Sequence, residues 1–256
     1  MGVQQLWDII GESGGVRVSL LDLRGKTLAI DLSVWIMQAN SIASLDKMHL
    51  RNLYFRAAGL LQAGIRLVFV SDGSPPSLKQ KHGKKGAPNE WKQHRHNPIF
   101  RKRVKECITL LRLMDIPVLD LQEGEAEAQC ARLNLLGLVD GCVTPDADAF
   151  LFGAQCVYKD ISVSKDNRFA LRYTLRDLQV SAGLGRHKLV ILALLLGSDY
   201  TSGVNGIGAK RATQFLHNFS EGPELLNIFV QWARTGRCDP ATVLAEGGSE
   251  PNCRRP

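Results

Sequence analysis

Acidic residues recur in this chain directly after short apolar runs. Asp31 follows Leu28-Ala29-Ile30, Asp72 follows Leu67-Val68-Phe69-Val70-Ser71, and Asp146 and Asp148 follow Gly141-Cys142-Val143-Thr144-Pro145. Glu125 and Glu127 come after the run that begins at Val118, and Asp199 follows the apolar stretch 187–197 in Gly-Ser-Asp-Tyr. Carboxylates gathered in one place repel one another unless something positive holds them. An all-oxygen ligand set suits hard cations such as Mg²⁺, Mn²⁺ or Ca²⁺. Seven acids are more than one magnesium uses, which points to two ions. Two ions ~3.5–4 Å apart clamp the attacking and leaving oxygens of a phosphate displacement. Each acid alone has a plainer reading, since a carboxylate after a strand commonly caps the next helix. The metal reading rests on several of them sharing one edge.

For these acids to meet, the apolar runs must be neighbouring parallel strands. Residues 27–32, 66–71, 118–121, 140–143 and 155–158 are β-rich. Helical spacing lies between them: apolar residues at 53, 57, 60 and 61 mark one face of a helix over 52–63, and 98–114 and 126–136 are also helical in pattern. This alternation predicts an α/β fold, a mostly parallel twisted sheet flanked by helices. Ligands of such sheets bind outside the carboxyl ends of the strands. Asp146 and Asp148, two apart, share a face of an extended segment. Glu125 and Glu127 would point apart on a regular helix. They converge only if the helix begins at Glu125, which the preceding Gly124 favours. After residue 174 no strand is expected. Thr174–Asp177 reads as a capping box, and 187–197, 209–219 and 223–234 as further helices.

The chain has 256 residues, 45% of them apolar, enough for one large domain with or without a small appendage. Formal charge is +7, but residues 77–105 carry ten Lys/Arg and one Glu, so this stretch is +9 and the remainder −2. With Trp91 and Phe100 interleaved, it suits a nucleic-acid backbone, the alternative being a solvated loop. Gly203, Gly206 and Gly208 precede a helix that opens with Lys210 and Arg211. Glycines admit a phosphate close to the backbone, and a helix start offers free N–H groups. The plain alternative is a helix–helix turn. None of the six cysteines forms a C-x-x-C pair, so free thiols in a reducing compartment are expected. The opening MGVQQLWDII is no secretory signal, and the longest apolar run, 189–196, is too short to span a bilayer. A soluble, intracellular protein is expected, with 236–256 an irregular tail.

Taken together and in order, these motifs resemble the flap endonuclease/XPG nucleases from residue 1 to about 219. The carriers are MGVQQLWDII, Ala29–Ser33, Val70–Lys79, Gly124–Ala128, Thr144–Asp148, Leu196–Tyr200 and the glycine hairpin at 203–212. The resemblance implies a PIN-like 5′-nuclease core over 1–173, a helix-hairpin-helix region over 174–235, and a mobile basic arch at about 77–105. It implies a phosphodiesterase using two Mg²⁺, with Mn²⁺ as substitute, held by Asp31, Asp72, Glu125, Glu127, Asp146, Asp148 and Asp199, and leaving 5′-phosphate ends. Lys79, at the base of the arch, would position the scissile phosphate. Gly2, Lys84, Lys85, Gly203, Gly206, Gly208, Lys210 and Arg211 would contact DNA, and a monovalent cation at the hairpin is left open. Within the family, His49–Arg56, Val139–Cys142 and Leu151–Ala154 look most like the Holliday-junction resolvases. That branch is expected to cut four-way junctions as a pair of subunits, and also 5′ flaps. The expected partners are therefore branched double-stranded DNA and a second copy of the chain, with no membrane. Such a substrate points to the nucleus, with the cytoplasm left open.

Three departures qualify this. The second basic residue of the family arch falls on Gly86, with Lys84 and Lys85 beside it. The chain stops before the chromodomain-like region of the resolvases, so a shortened form that engages junctions weakly is one alternative. No sliding-clamp peptide is present, which disfavours the replication flap endonucleases. A junction binder without catalysis and a PIN-like ribonuclease are the other rivals. The first is disfavoured by the intact acid set, the second by the glycine hairpin and basic stretch.

Overall fold

The computed structural model describes residues 3, 6–40, 47–74, 76 and 97–235. These form two units, one spanning residues 15–174 and one made of the residues before and after it.

The first unit is built on a seven-stranded sheet. Its strands are β1 (Val16–Ser19), β2 (Thr27–Asp31), β3 (Arg66–Ser71), β4 (Val118–Asp120), β5 (Gly141–Val143), β6 (Cys156–Ser164) and β7 (Asn167–Thr174), in the order β1-β7-β6-β5-β2-β3-β4. The five strands from β6 to β4 are parallel, and β7 runs antiparallel to both β6 and β1. The expected parallel core is there, but the sheet is mixed. Neither β1 nor β7 was anticipated, and β6 runs six residues past the expected end at 158.

Side-chain alternation assigns the faces of the sheet. Leu28 and Ile30 of β2 and Leu67 and Phe69 of β3 belong to a buried cluster with Ile36 of helix α2 (Leu32–Asn40), Leu53 and Leu60 of α3 (Met48–Gln62) and Leu111 of α4 (Pro98–Leu113). Trp35 meets Phe69 edge-on, ring centres 5.3 Å apart. The intervening residues, Ala29 of β2 and Cys142 of β5, are fully buried, and so are Ala126, Cys130 and Ala131 of α5 (Ala126–Leu135), the helix that packs on β2, β3 and β5. Small side chains let this helix lie close to the strands. A short helix, α6 (Asp148–Leu151), follows β5.

Register then aligns the strand ends. Asp31 pairs with Val70, Ser71 with Asp120 and Ile30 with Val143. The chain runs outward from β2 through β3 to β4, then returns to place β5 on the other side of β2. Strand order therefore reverses beside β2, the place where open sheets of this kind form a crevice.

One sequence expectation is corrected here. Residues 98–105, read as part of a basic arch, form the first half of α4, and Phe100 is buried in the core rather than available to a nucleic acid. Asn97 caps this helix, its side-chain oxygen accepting from the Ile99 N–H at 2.9 Å.

The second unit is helical. It contains α1 (Leu6–Gly14), α7 (Leu175–Ala182), α8 (Arg186–Leu196), α9 (Ala209–His217) and α10 (Glu224–Thr235). The division from the sheet falls after Thr174. Helix α1, expected with the sheet, packs on α7 instead. Helix α8 starts on the Glu221 carboxylate, which accepts from the His187 N–H at 2.7 Å and the Lys188 N–H at 3.2 Å. Phe215 of α9 and Trp232 of α10 pack with their rings tilted, centres 4.8 Å apart. Among the described residues no single helix is long and apolar enough to cross a membrane. Cys107, Cys130, Cys142 and Cys156 are free thiols.

Candidate metal centre and nucleic-acid interface

Asp31 is the last residue of β2, and α2 begins at the next residue. Its Oδ1 caps that helix, accepting from the N–H groups of Ser33 (2.9 Å) and Val34 (3.3 Å). Asp72, one residue past β3, caps a different helix: its Oδ1 accepts from the Ala126 N–H at 2.9 Å, the first amide of α5. The expectation that each acid caps the next helix holds for Asp31 but not for Asp72, whose tie to the start of α5 sets it beside Glu125 and Glu127.

That start has the expected form. Glu125 is the N-cap residue of α5, in extended conformation (φ −107°, ψ 137°), and Gly124 before it has φ +95°. Glu125 and Glu127 therefore escape the divergence that regular helical geometry would impose. On the β5 side, Thr144 Oγ1 accepts from the Asp146 N–H at 3.1 Å and Asp146 Oδ1 from the Asp148 N–H at 3.2 Å. This compact turn brings both acids back over the strand end. Asp31, Glu125 and Asp148 are all under a tenth exposed.

The charges around Glu127 fit this arrangement. The Glu127 carboxyl is held well above the usual carboxylate range, first by burial and then by the charges of Asp146, Asp148, Asp31 and Glu125. Cys130, one turn further along α5, is pushed up by burial first, then by Cys142, Asp31, Glu127 and Asp72. Five of the seven expected acids are thus gathered around Glu127, and Asp72, which is tied to the start of the same helix, acts on Cys130. Asp199 lies in the helical unit, in the turn after α8, where the Tyr200 N–H donates to Ser198 Oγ at 3.2 Å.

The donor set fits a hard divalent cation. The gathered groups are carboxylates, and Glu127 Oε1 is buried with no hydrogen-bond partner. A buried carboxylate oxygen in that position is costly unless a cation or donor meets it. As they stand, the carboxylates are spread: among the described residues, no three His, Cys, Asp or Glu side chains are arranged to hold a metal ion.

Next to Asp146 a cleft of about 230 Å³ is lined by Trp35, Arg56, Thr144, Pro145, Tyr158 and Lys159, among others. The Arg56 guanidinium lies 3.9 Å from the Trp35 ring centre and donates to Gln38 Oε1 at 2.9 Å. Burial lowers its pKa to about 10, which still leaves it charged near neutrality. The sequence singled out Arg56 only as the end of a motif. An arginine within the apolar pattern of α3 was the available signal for this part-buried cation.

In the helical unit, α8 and α9 flank the glycine turn. Gly203 has φ +76°, and a Cβ there would lie 2.6 Å from the Gly197 nitrogen, so only glycine fits. Gly206 has φ +82°, and Gly208 is the N-cap of α9. Lys210 and Arg211 are exposed in the first turn, and the Arg211 guanidinium donates to the Gly206 carbonyl at 2.9 Å. Arg211 therefore holds the turn in shape, a role the sequence did not show. Gly2, Lys79, Lys84, Lys85 and Trp91, with the tail 236–256, lie outside the described residues.

Two family models match the chain: the XPG N-terminal domain over residues 1–92 and the XPG I-region over 116–199. The chain is 41% identical to mouse Flap endonuclease GEN homolog 1, a match that covers 91% of this chain but 26% of that protein. It spans about a quarter of that relative's length. Human GEN1, solved in complex with Holliday junction DNA, superposes with a TM-score of 0.75 at 38% identity, covering 90% of this chain and 59% of that one. The catalytic core of Rad2, in complex with DNA substrate, matches with a TM-score of 0.74 at 34% identity, covering 96% and 74%. A Holliday junction-resolving GEN1 in complex with product DNA and an Mg²⁺ ion matches with a TM-score of 0.65 at 26% identity, covering 91% and 56%.

Proposed function

Since the chain belongs to the flap endonuclease/XPG family, we propose that it is a structure-selective DNA endonuclease that hydrolyses phosphodiester bonds in branched DNA, four-way junctions and 5′ flaps, with the help of divalent cations. The observation that carries this reading is the gathering of five carboxylates from three separate segments around Glu127, with Asp72 hydrogen-bonded to the start of the same helix and an orphaned buried oxygen on Glu127 among them.

Asp31, Asp72, Glu125, Glu127, Asp146 and Asp148 would hold the ions, two Mg²⁺ with Mn²⁺ as substitute. Asp199 joins this set on its motif alone. When bound, such ions make water a nucleophile near neutral pH and offset charge growing on the leaving oxygen. The chain's own residues orient the carboxylates: caps fix Asp31 and Asp72, and the Thr144–Asp148 turn fixes the β5 pair, the kind of support that tunes a metal site. Arg56 and Lys159, in the cleft beside Asp146, supply positive charge for a substrate phosphate. Lys79, with Lys84 or Lys85, would steady the scissile phosphate. The glycine turn with Lys210 would grip a duplex backbone through its N–H groups and charge. A branched chromosomal substrate places this work in the nucleus. On four-way junctions a second copy would take the opposing strand.

The test is cleavage of end-labelled four-way junction, 5′-flap DNA and single-stranded RNA, with Mg²⁺ and with EDTA. Mg²⁺-dependent, symmetric cuts in opposing strands of the junction are expected, leaving 5′-phosphate ends. Cutting confined to the flap would move the protein to flap processing. Preference for RNA, or binding without cutting under any divalent ion, would overturn the endonuclease reading. The hairpin has its own measurement. Lys210→Ala should weaken duplex binding and lower the slope of log affinity against log salt by about 0.9, the loss of one phosphate contact. An unchanged slope would reduce this segment to a helix–helix turn. Lys210 is the cleaner choice, because Arg211 also holds the Gly206 carbonyl.

A further inference from the structure

Beyond the ends of β3 and β4, the two chains continue to pair. The Gly73 N–H donates to the Gly124 carbonyl (3.1 Å), the Ser74 N–H to the Gln122 carbonyl (2.9 Å), and the Gly124 N–H to the Ser74 carbonyl (2.9 Å). Ser74 Oγ adds a second bond to the Gln122 carbonyl at 3.0 Å, and Ser74 and Glu123 form a parallel bridge. The segments joined this way are the ones that carry the acids: Asp72 immediately precedes Gly73, and Glu125 immediately follows Gly124.

This staple is built with unusual constraint for so exposed a feature. Ser74, Gln122 and Glu123 are exposed, so each bond contributes only about 1 kcal/mol to global stability. Yet no side chain fits at Gly73, where a Cβ would lie 2.4 Å from the Glu123 nitrogen, and Gly124 sits at φ +95°. A backbone approach this close, next to two gathered carboxylates, does little for the core. It fixes how far the Asp72 carboxylate lies from the start of α5, and Asp72 Oδ1 completes the tie by capping Ala126.

We propose that Gly73 and Ser74 are positioning residues for the divalent-cation site: their pairing with Gln122–Gly124 sets Asp72 against Glu125 and Glu127, the acids that would hold an ion there. This rests on the metal reading of the acid cluster. Neither residue supplies a ligand in this account.

The experiment titrates Mn²⁺ into the full chain without DNA, following free Mn²⁺ by electron paramagnetic resonance, with thermal unfolding in EDTA measured alongside. Gly73→Ala should weaken Mn²⁺ binding about tenfold or more, the usual effect of losing a ligand's support. Ser74→Ala should weaken it several-fold, and Ser74→Thr, which keeps the hydroxyl, should restore it. The melting temperature of the Ser74 variants should stay within about 2 °C of the parent, since an exposed bond is lost. Asp31→Asn serves as the reference for the metal reading itself. If Asp31→Asn loses affinity while Gly73→Ala and Ser74→Ala bind as the parent does, the staple has no positioning role and the metal site stands. If Asp31→Asn binds as tightly as the parent, the metal reading falls and this inference with it. Ser74→Ala and Ser74→Thr losing affinity alike, in proportion to lost stability, would also overturn it.

Discussion

Asp31→Asn is expected to reduce Mg²⁺-dependent cleavage of branched DNA at least about a thousandfold while leaving DNA affinity within a few-fold of the parent. The magnitude follows from the several kcal/mol of charge stabilisation that a divalent cation contributes, each ~1.4 kcal/mol being tenfold in rate. The substitution is clean because of what Asp31 does structurally. Its Oδ1 caps α2 through Ser33 and Val34, and asparagine caps a helix as well as aspartate does. The fold keeps its cap, and only the charge is lost. Asp146→Asn should behave alike, since an amide oxygen still accepts from the Asp148 N–H. Single-turnover cleavage with a parallel binding titration separates chemistry from affinity. Parent-like rates in both variants would remove these acids from the metal set.

Glu127→Gln is expected to move stability and activity in opposite directions. In the folded protein without metal, burial and four neighbouring carboxylates raise the Glu127 pKa. Folding therefore favours the protonated form. The unfolded chain gives up this proton near the ordinary glutamate value of about 4.3. The contribution to stability is fully present below that value and is lost as pH rises toward the raised folded value. In EDTA the parent should accordingly melt lower at pH 8 than at pH 6. Glu127→Gln removes one charge from the crowd, which should add about 1–2 kcal/mol at pH 8, or ~2–8 °C in melting temperature, and flatten the pH dependence. Cleavage should fall by about the same factor as in Asp31→Asn. Mg²⁺ should raise the melting temperature of the parent more than that of the variant, because a ligand stabilises the state that binds it. Thermal scans at the two pH values decide the point. A variant no more stable than the parent in EDTA would mean that Glu127 is not under repulsion.

The parts legible in the sequence share a physical cause. Strands β2, β3 and β5 are covered on both faces, so they read as near-continuous apolar runs with an acid at the end. The start of α5 was legible because two carboxylates two residues apart have one local solution, a helix beginning at Glu125 behind a glycine. Strands β1 and β7 were hidden. Val-Arg-Val-Ser and Asn-Arg-Phe-Ala-Leu-Arg-Tyr-Thr carry arginines, and the turn joining β6 to β7 uses Lys165 and Asp166 rather than an Asn-Gly or Asp-Gly pair. Helix α2 went unseen because it follows β2 with no break, Asp31 serving as strand end and cap at once. Phe100 was misread because a basic neighbourhood outweighed its place on the apolar face of α4. The staple at Gly73 had no sequence signal, since a glycine after an aspartate reads as an ordinary turn.

Divalent cations held by the carboxylates at the sheet edge underlie every loss of cleavage expected above. Anomalous diffraction from crystals grown with Mn²⁺ tests this most directly, because that signal locates the ion independently of activity. The account predicts Mn²⁺ peaks bounded by Asp31, Asp72, Glu125, Glu127, Asp146 and Asp148, lost in crystals of Asp31→Asn. A peak elsewhere in a protein that cuts DNA with Mn²⁺, or a carboxylate cluster that stays spread and empty at saturating Mn²⁺, would contradict it.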